Sequence, residues 1–126
     1  MSADPTPVSR RILLVDDNTD SAESLGGLLA LSGHEVRTAA HGPAALRVDG
    51  EFLPDVVLCD LGLPGMSGYE VGRTLRTRPG GRALFLAALT GYSEASDRSR
   101  TAQAGFDLHL VKPVDPFELE RLIDRI

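Results

Sequence analysis

Three short, unbroken runs of apolar residues constrain this chain more than any other feature. They are Ile12-Leu13-Leu14-Val15, Val56-Val57-Leu58-Cys59 and Ala83–Leu89. Each is too brief for a buried helix and shows no polar alternation, so each reads as a strand covered on both faces. Helical patterns lie between them. Asp20 and Glu23 are spaced as a capping box ahead of Ala22, Leu25, Leu28 and Leu29, with Gly33 as the stop. Pro43 marks a second helix start that Ala44–Val48 continues, and Tyr69–Thr77 forms a third helix carrying Val71 and Leu75 one turn apart. Ser93–Ala104 is a helix almost without an apolar stripe, which predicts weak anchoring and makes it a plausible moving part. Asp115-Pro116-Phe117-Glu118 opens a last helix whose Leu119, Leu122, Ile123 and Ile126 share one face. His34–Ala39 and Phe106–Val111 complete five strands alternating with five helices. That alternation demands a parallel sheet with helices on both faces, in one α/β layer structure.

Composition narrows the function classes. A length of 126 residues fits one domain, with residues 1–10 expected as a flexible leader or linker remnant and residues 11–126 as the domain. The net charge of −5 argues against a dominant basic face, so direct nucleic-acid binding is not expected. No apolar run approaches the roughly 18 residues of a membrane helix, and Met1–Arg10 has no apolar signal core. The lone Cys59 can form neither an internal disulfide nor a cysteine-based zinc site, and its place in an apolar run makes it a core thiol. A cytoplasmic protein without membrane insertion is expected.

In a parallel α/β sheet the ligand site lies beyond the carboxyl ends of the strands. Those ends carry Asp16-Asp17, Asp60, Thr90-Gly91 and Lys112-Pro113. Any one of the acids alone reads as a turn residue or helix cap; their convergence on one rim is the informative fact. Carboxylates about 4 Å apart repel by about 4 kcal/mol per pair at an effective dielectric near 20. Holding three together calls for a cation, and an all-oxygen donor set favours Mg²⁺, or Mn²⁺, over zinc. A carboxylate beside such an ion can attack phosphorus to give an aspartyl phosphate. Lys112 and the Thr90 hydroxyl are then placed to meet the phosphoryl oxygens. His34 and His41 read most simply as loop or surface residues.

Four fragments in this order resemble the receiver domain of two-component response regulators. They are Leu14-Val15-Asp16-Asp17-Asn18, Val57–Gly68, Ala88-Leu89-Thr90-Gly91 and Val111-Lys112-Pro113, and the resemblance covers residues 11–126. It implies a flavodoxin-like doubly wound (βα)5 sandwich with strand order 2-1-3-4-5. It implies that Asp60 accepts phosphate from a phosphohistidine on a histidine kinase or histidine phosphotransfer protein. It implies Mg²⁺ ligation by Asp16, Asp17, Asp60 and the Gly62 carbonyl, phosphoryl contacts from Thr90 and Lys112, and a cis Lys112-Pro113 bond. A switch through Thr90 and the residue three before the lysine is also implied. Here that residue is His109 rather than Tyr or Phe, so a switching histidine and a half-exposed strand histidine are equally open readings. Gly62 and Tyr92 occupy the positions that tune phosphoryl lifetime in the family.

The expected output is a switched surface for a downstream protein, on a monomer or weak dimer. The chain reads as a stand-alone regulator or as the receiver part of a hybrid sensor kinase, without enzymatic turnover beyond slow self-phosphorylation and self-dephosphorylation. Three alternatives remain open. A Mg²⁺-dependent phosphatase or phosphotransferase with an aspartyl nucleophile commonly has a second Asp where this chain has Gly62. A flavodoxin-like cofactor binder needs a phosphate loop where Asp16-Asp17-Asn18 stands. A degenerate receiver acting only as a binding module is the third.

Overall fold

The computed structural model describes residues 9–78, 84–91 and 95–126. Five strands, β1 (Arg11–Val15), β2 (Glu35–Ala39), β3 (Val56–Asp60), β4 (Phe85–Thr90) and β5 (Leu108–Val111), form one parallel sheet in the order β2-β1-β3-β4-β5. They alternate with α1 (Thr19–Leu31), α2 (Gly42–Phe52), α3 (Gly68–Arg76), α4 (Ala95–Gln103) and α5 (Pro116–Asp124). The unbroken apolar runs divide residue by residue between two layers. Leu13, Val15, Val57, Cys59, Leu86 and Ala88 pack with Ala44, Ala45, Val71, Leu75 and Phe106. Ile12, Leu14, Val56, Leu58, Ala87 and Leu89 face the other way, onto Ala22 and Leu29 of α1 and Leu119 and Ile123 of α5. Period-two geometry turns a continuous apolar sequence into two cores. The doubly wound expectation holds.

Local chemistry explains most boundaries, and several differ from the sequence expectation. Helix α1 is capped by Asn18, whose side chain accepts from the Ser21 amide, and not by an Asp20–Glu23 box. Asn18 wins because its own amide is held by the Asp16 carboxylate at 2.9 Å, which sets the turn one residue before the helix. Helix α2 starts with Pro43 in its first turn, as expected, but runs to Phe52 rather than stopping at Val48. Its polar extension is satisfied in three dimensions: Asp49 is fully buried and ion-paired to Arg78 at 3.3 Å. Phe52, also fully buried, lies between two guanidinium groups, Arg11 at 4.7 Å and Arg37 at 4.6 Å from the ring centre. Strand β5 begins at Leu108, because Phe106 turns into the core against Gly72 of α3, where a Cβ would fall within 2.6 Å of the ring. Asp115 caps α5 as expected, accepting from the Phe117 amide at 2.9 Å.

His34 lies in the loop between α1 and β2, one of the two settings expected for it, but it is buried there rather than on the surface, with ring contacts on both nitrogens. Ser9 and Arg10, assigned by composition to the leader, are bonded to Gly33 and His34, while residues 1–8 lie outside the described residues. Ala83 and Ser93, expected to open β4 and α4, lie outside them too.

Candidate functional site

Strand registry delivers the rim. Asp60 ends β3, Thr90 ends β4, and Asp16 and Lys112 follow β1 and β5 by one residue. Parallel pairing aligns these tips: the Leu61 amide bonds the Leu89 carbonyl at 3.0 Å, and the Lys112 amide bonds the Thr90 carbonyl at 2.7 Å. Carboxylate oxygens of Asp16, Asp17 and Asp60 all lie within 4.8 Å of one another. Asp16 and Asp60 are buried and Asp17 is exposed.

The two buried acids are held alike. Each has one oxygen tied to backbone, Asp16 Oδ1 to the Asn18 amide at 2.9 Å and Asp60 Oδ1 to the Gly62 amide at 2.8 Å. Each presents its other oxygen to Lys112, at 2.6 Å for Asp60 and 3.4 Å for Asp16. The Lys112-Pro113 peptide is cis, as the resemblance implied. Burial pulls the Lys112 ammonium toward a lower pKa. The hydrogen bond and charge of Asp60, joined by Asp16, outweigh it and leave the value above the ordinary 10.5. Burial also drives the Cys59 thiol far upward, with the charges of Asp60 and Asp16 adding to it, so no thiolate competes with the carboxylates.

The cluster fits a hard divalent cation. Its donors are all oxygen, one of the three is open to solvent, and a lone ammonium offsets three acids. Gly62 is exposed and carries no side chain over Asp60. A groove of about 600 Å³ opens beside the acids. Asp16, Ser21 and Lys112 line its polar end, and Leu25, Leu28 and Val114 part of its apolar wall. Thr90 is buried at the same rim.

Two structural supports escaped sequence reasoning. Gly68 opens α3 directly under the acceptor loop, where a Cβ would strike the Asp60 carbonyl oxygen and lie 2.6 Å from the Leu61 Cα. Ser67 caps that helix, accepting from the Glu70 amide at 3.3 Å. The glycine clustering over residues 62–68 was the available signal, but it reads as loop composition until the loop is seen against β3.

His109 is half-buried on β5, and its Nδ1 is 3.0 Å from the hydroxyl of buried Thr101 in α4. Arg100, one residue earlier, lies over the Tyr69 ring at 4.3 Å. Helix α4 is therefore anchored by polar and cation–π contacts where apolar burial is scarce. Tyr92 lies outside the described residues. A second cluster of possible metal donors joins His34, Glu120 and Asp124. There the Arg10 amide donates to His34 Nδ1 at 3.0 Å, which assigns the ring proton to Nε2 and leaves that nitrogen no lone pair for a metal.

The family description "Response regulator receiver domain" matches residues 12–124. An uncharacterized 14.6 kDa protein of Leptolyngbya boryana is 37% identical over 114 residues, covering 90% of this chain and 87% of that protein. The transcriptional regulatory protein PrrA of Mycobacterium tuberculosis is 38% identical over 118 residues, and the response regulator PleD of Caulobacter vibrioides 36% over 108. These matches cover 94% and 86% of this chain, which spans 48% of PrrA and 24% of PleD. Among solved structures, the chemotaxis protein CheY4 of Vibrio cholerae superposes with a TM-score of 0.87 at 27% identity, covering 94% of this chain and 99% of that one. A putative response regulator from Chloroflexus aurantiacus gives 0.85 at 35% identity, covering 94% and 97%.

Proposed function

The chain belongs to the response regulator receiver-domain family, and from that premise we propose that Asp60 is its phosphoacceptor and that the donor is a phosphohistidine. The observation that carries this reading is the anchoring of Asp60: Oδ1 on the Gly62 amide, Oδ2 on the Lys112 ammonium, with Asp16 and Asp17 alongside. A backbone hydrogen bond is fixed, whereas Lys112 is a flexible arm. Oδ2 is thus the oxygen able to exchange its hydrogen bond for a bond to phosphorus.

In transfer, an Asp60 oxygen lone pair forms the O–P bond as the P–N bond breaks. The P–N electron pair stays on the leaving imidazole nitrogen, and the product is an acyl phosphate on Asp60. Mg²⁺, or Mn²⁺, held by Asp16, Asp17, Asp60 and the Gly62 carbonyl would offset the charge on the phosphoryl oxygens. Lys112 shifts from the carboxylates to a phosphoryl oxygen, and the Thr90 hydroxyl donates to another. That movement reaches His109, whose link to Thr101 carries it to α4 and to a surface read by a downstream protein. Gly62 places no side chain over Asp60, and the phosphoryl group is lost by slow self-dephosphorylation rather than by enzymatic turnover. A cytoplasmic location suits a histidine kinase or histidine phosphotransfer partner. Among the described residues, no helix is long and apolar enough to cross a membrane.

Intact mass after incubation with acetyl phosphate and Mg²⁺ tests the assignment. Wild type should gain one phosphoryl group, and Asp60→Asn should gain none. An adduct of equal yield in the variant rejects Asp60. No adduct on wild type, with either acetyl phosphate or a phosphorylated histidine kinase, would favour the binding-module reading. Many donor molecules consumed per chain would favour a phosphatase.

A further inference from the structure

At the amino ends of the strands, opposite the acidic rim, three segments meet at one buried imidazole. Arg10 precedes β1 and donates its amide to His34 Nδ1 at 3.0 Å. His34 lies in the α1–β2 connection, and its Nε2 is 3.1 Å from Glu120 Oε2 on α5. Ser9 Oγ donates to the Gly33 carbonyl at 2.9 Å, and the Arg10 guanidinium reaches the Ile126 carbonyl beyond α5. The His34 side chain is 1% exposed, so water cannot substitute for either ring partner.

The donor pattern sets the protonation state. A main-chain amide can only donate, so Nδ1 must accept and the single ring proton sits on Nε2, directed at Glu120. Adding a second proton puts an N–H on Nδ1 against the N–H of Arg10, two donors facing each other at 3.0 Å. That contact must open. The Nε2–Glu120 contact becomes an ion pair and tightens. Two further groups bear on the outcome. Arg10 Nε and Glu120 Oε1 are buried without hydrogen-bond partners among the described residues, and they belong to oppositely charged side chains of the two residues that contact the ring. A rearrangement of Arg10 that lets them approach each other satisfies both. The charged groups around the imidazole are Arg10 from the lead-in to β1, and Glu120 and Asp124 from α5.

We propose that His34 is a proton-operated clasp. Neutral, it holds the Ser9–Arg10 lead-in and the α1–β2 turn to the carboxyl-terminal half of α5. Protonated, it lets go of Arg10 and keeps Glu120. Imidazole can be a neutral acceptor or a cationic donor at the same nitrogen, so ring protonation is the event that opens the clasp. Its parts lie at the far end of the sheet from Asp60, so the device operates independently of the phosphoacceptor assignment.

Nuclear magnetic resonance on the ¹⁵N-labelled full chain tests it directly. Long-range proton–nitrogen spectra should show the Nε2–H tautomer of His34 at pH 8. Hydrogen exchange of the Arg10 amide, relative to its intrinsic rate, should lose roughly tenfold or more of its protection as the His34 ring protonates, as for a half-buried donor deprived of its acceptor. His34→Asn places a non-titrating acceptor at the δ position, and it should keep the protection without that loss. An Nδ1–H tautomer, protection constant through the ring titration, or the same loss in His34→Asn would each overturn the clasp. The tautomer measurement uses the wild-type chain alone and stands even where the variant folds poorly.

Discussion

Replacing Lys112 by methionine removes the ammonium between Asp16 and Asp60 while keeping an unbranched chain of similar reach. The two carboxylates have oxygens within 4.8 Å, which at an effective dielectric of 20 corresponds to about 3.5 kcal/mol of repulsion per pair. Lys112 is 34% exposed, so solvent already screens part of what it offsets, and about 1–2 kcal/mol is the reasonable net loss. For a domain of this size each kcal/mol is worth about 3–5 °C, so Lys112→Met should melt roughly 3–10 °C below wild type in EDTA. Mg²⁺ should reverse the order of response. In wild type the ion competes with an ammonium already 2.6 Å from Asp60, whereas the variant presents vacant acids. The gain in melting temperature with Mg²⁺ should therefore be larger in the variant, since stabilisation grows with the ratio of free ion to dissociation constant.

The pH dependence supplies a control. The folded-state value of Lys112 is raised, so its contribution is complete below the ordinary 10.5 and fades as pH climbs through the higher folded value. The gap between wild type and variant, measured without metal, should be constant from pH 7 to 9 and close in strong base. Equal melting temperatures in EDTA, or equal Mg²⁺ gains in both proteins, would refute the picture of an ammonium shared between two acids.

Three other outcomes are expected. Gly68→Ala should destabilise by about 1–3 kcal/mol in denaturant titration, because the new methyl meets the Asp60 carbonyl and Leu61 Cα, backbone that cannot rotate aside; it should also slow labelling by acetyl phosphate, and an unperturbed chain would show that the loop yields freely. Asn18→Ala should cost about 0.5–2 kcal/mol, while Glu23→Ala should stay within about 0.5 kcal/mol; the reverse ranking would restore the capping box at Asp20. Cys59, fully buried with its thiol pushed strongly upward, should resist iodoacetamide under native conditions and react only as denaturant unfolds the chain, so rapid labelling of the native protein would contradict the packing.

The parallel sheet was legible because strands covered on both faces leave a mark no helix shares at that length. Val56–Cys59 has no polar position at all, and its residues divide alternately between the two cores. The rim was legible for a related reason. Parallel strands all end on one side, so Asp16, Asp60, Thr90 and Lys112 had to become neighbours however far apart they lay in the chain. Asp49 and His34 were not legible. A buried acid in a helix looks like a solvated one until Arg78 arrives from another element, and a buried loop histidine looks like a surface one until Arg10 and Glu120 close on it.

Periodicity and strand-end chemistry are local properties, and the sequence alone determined them: five βα units, a doubly wound sheet and the identity of the acidic rim. The tertiary structure decided what depends on direction and partner. It set which oxygen of Asp60 faces Lys112, which residue caps α1, how α4 is held through Thr101 and His109, and which nitrogen of His34 carries the proton. The physical reason is that a hydrogen bond is specified by two groups and an angle, and a linear chain records only one group at a time.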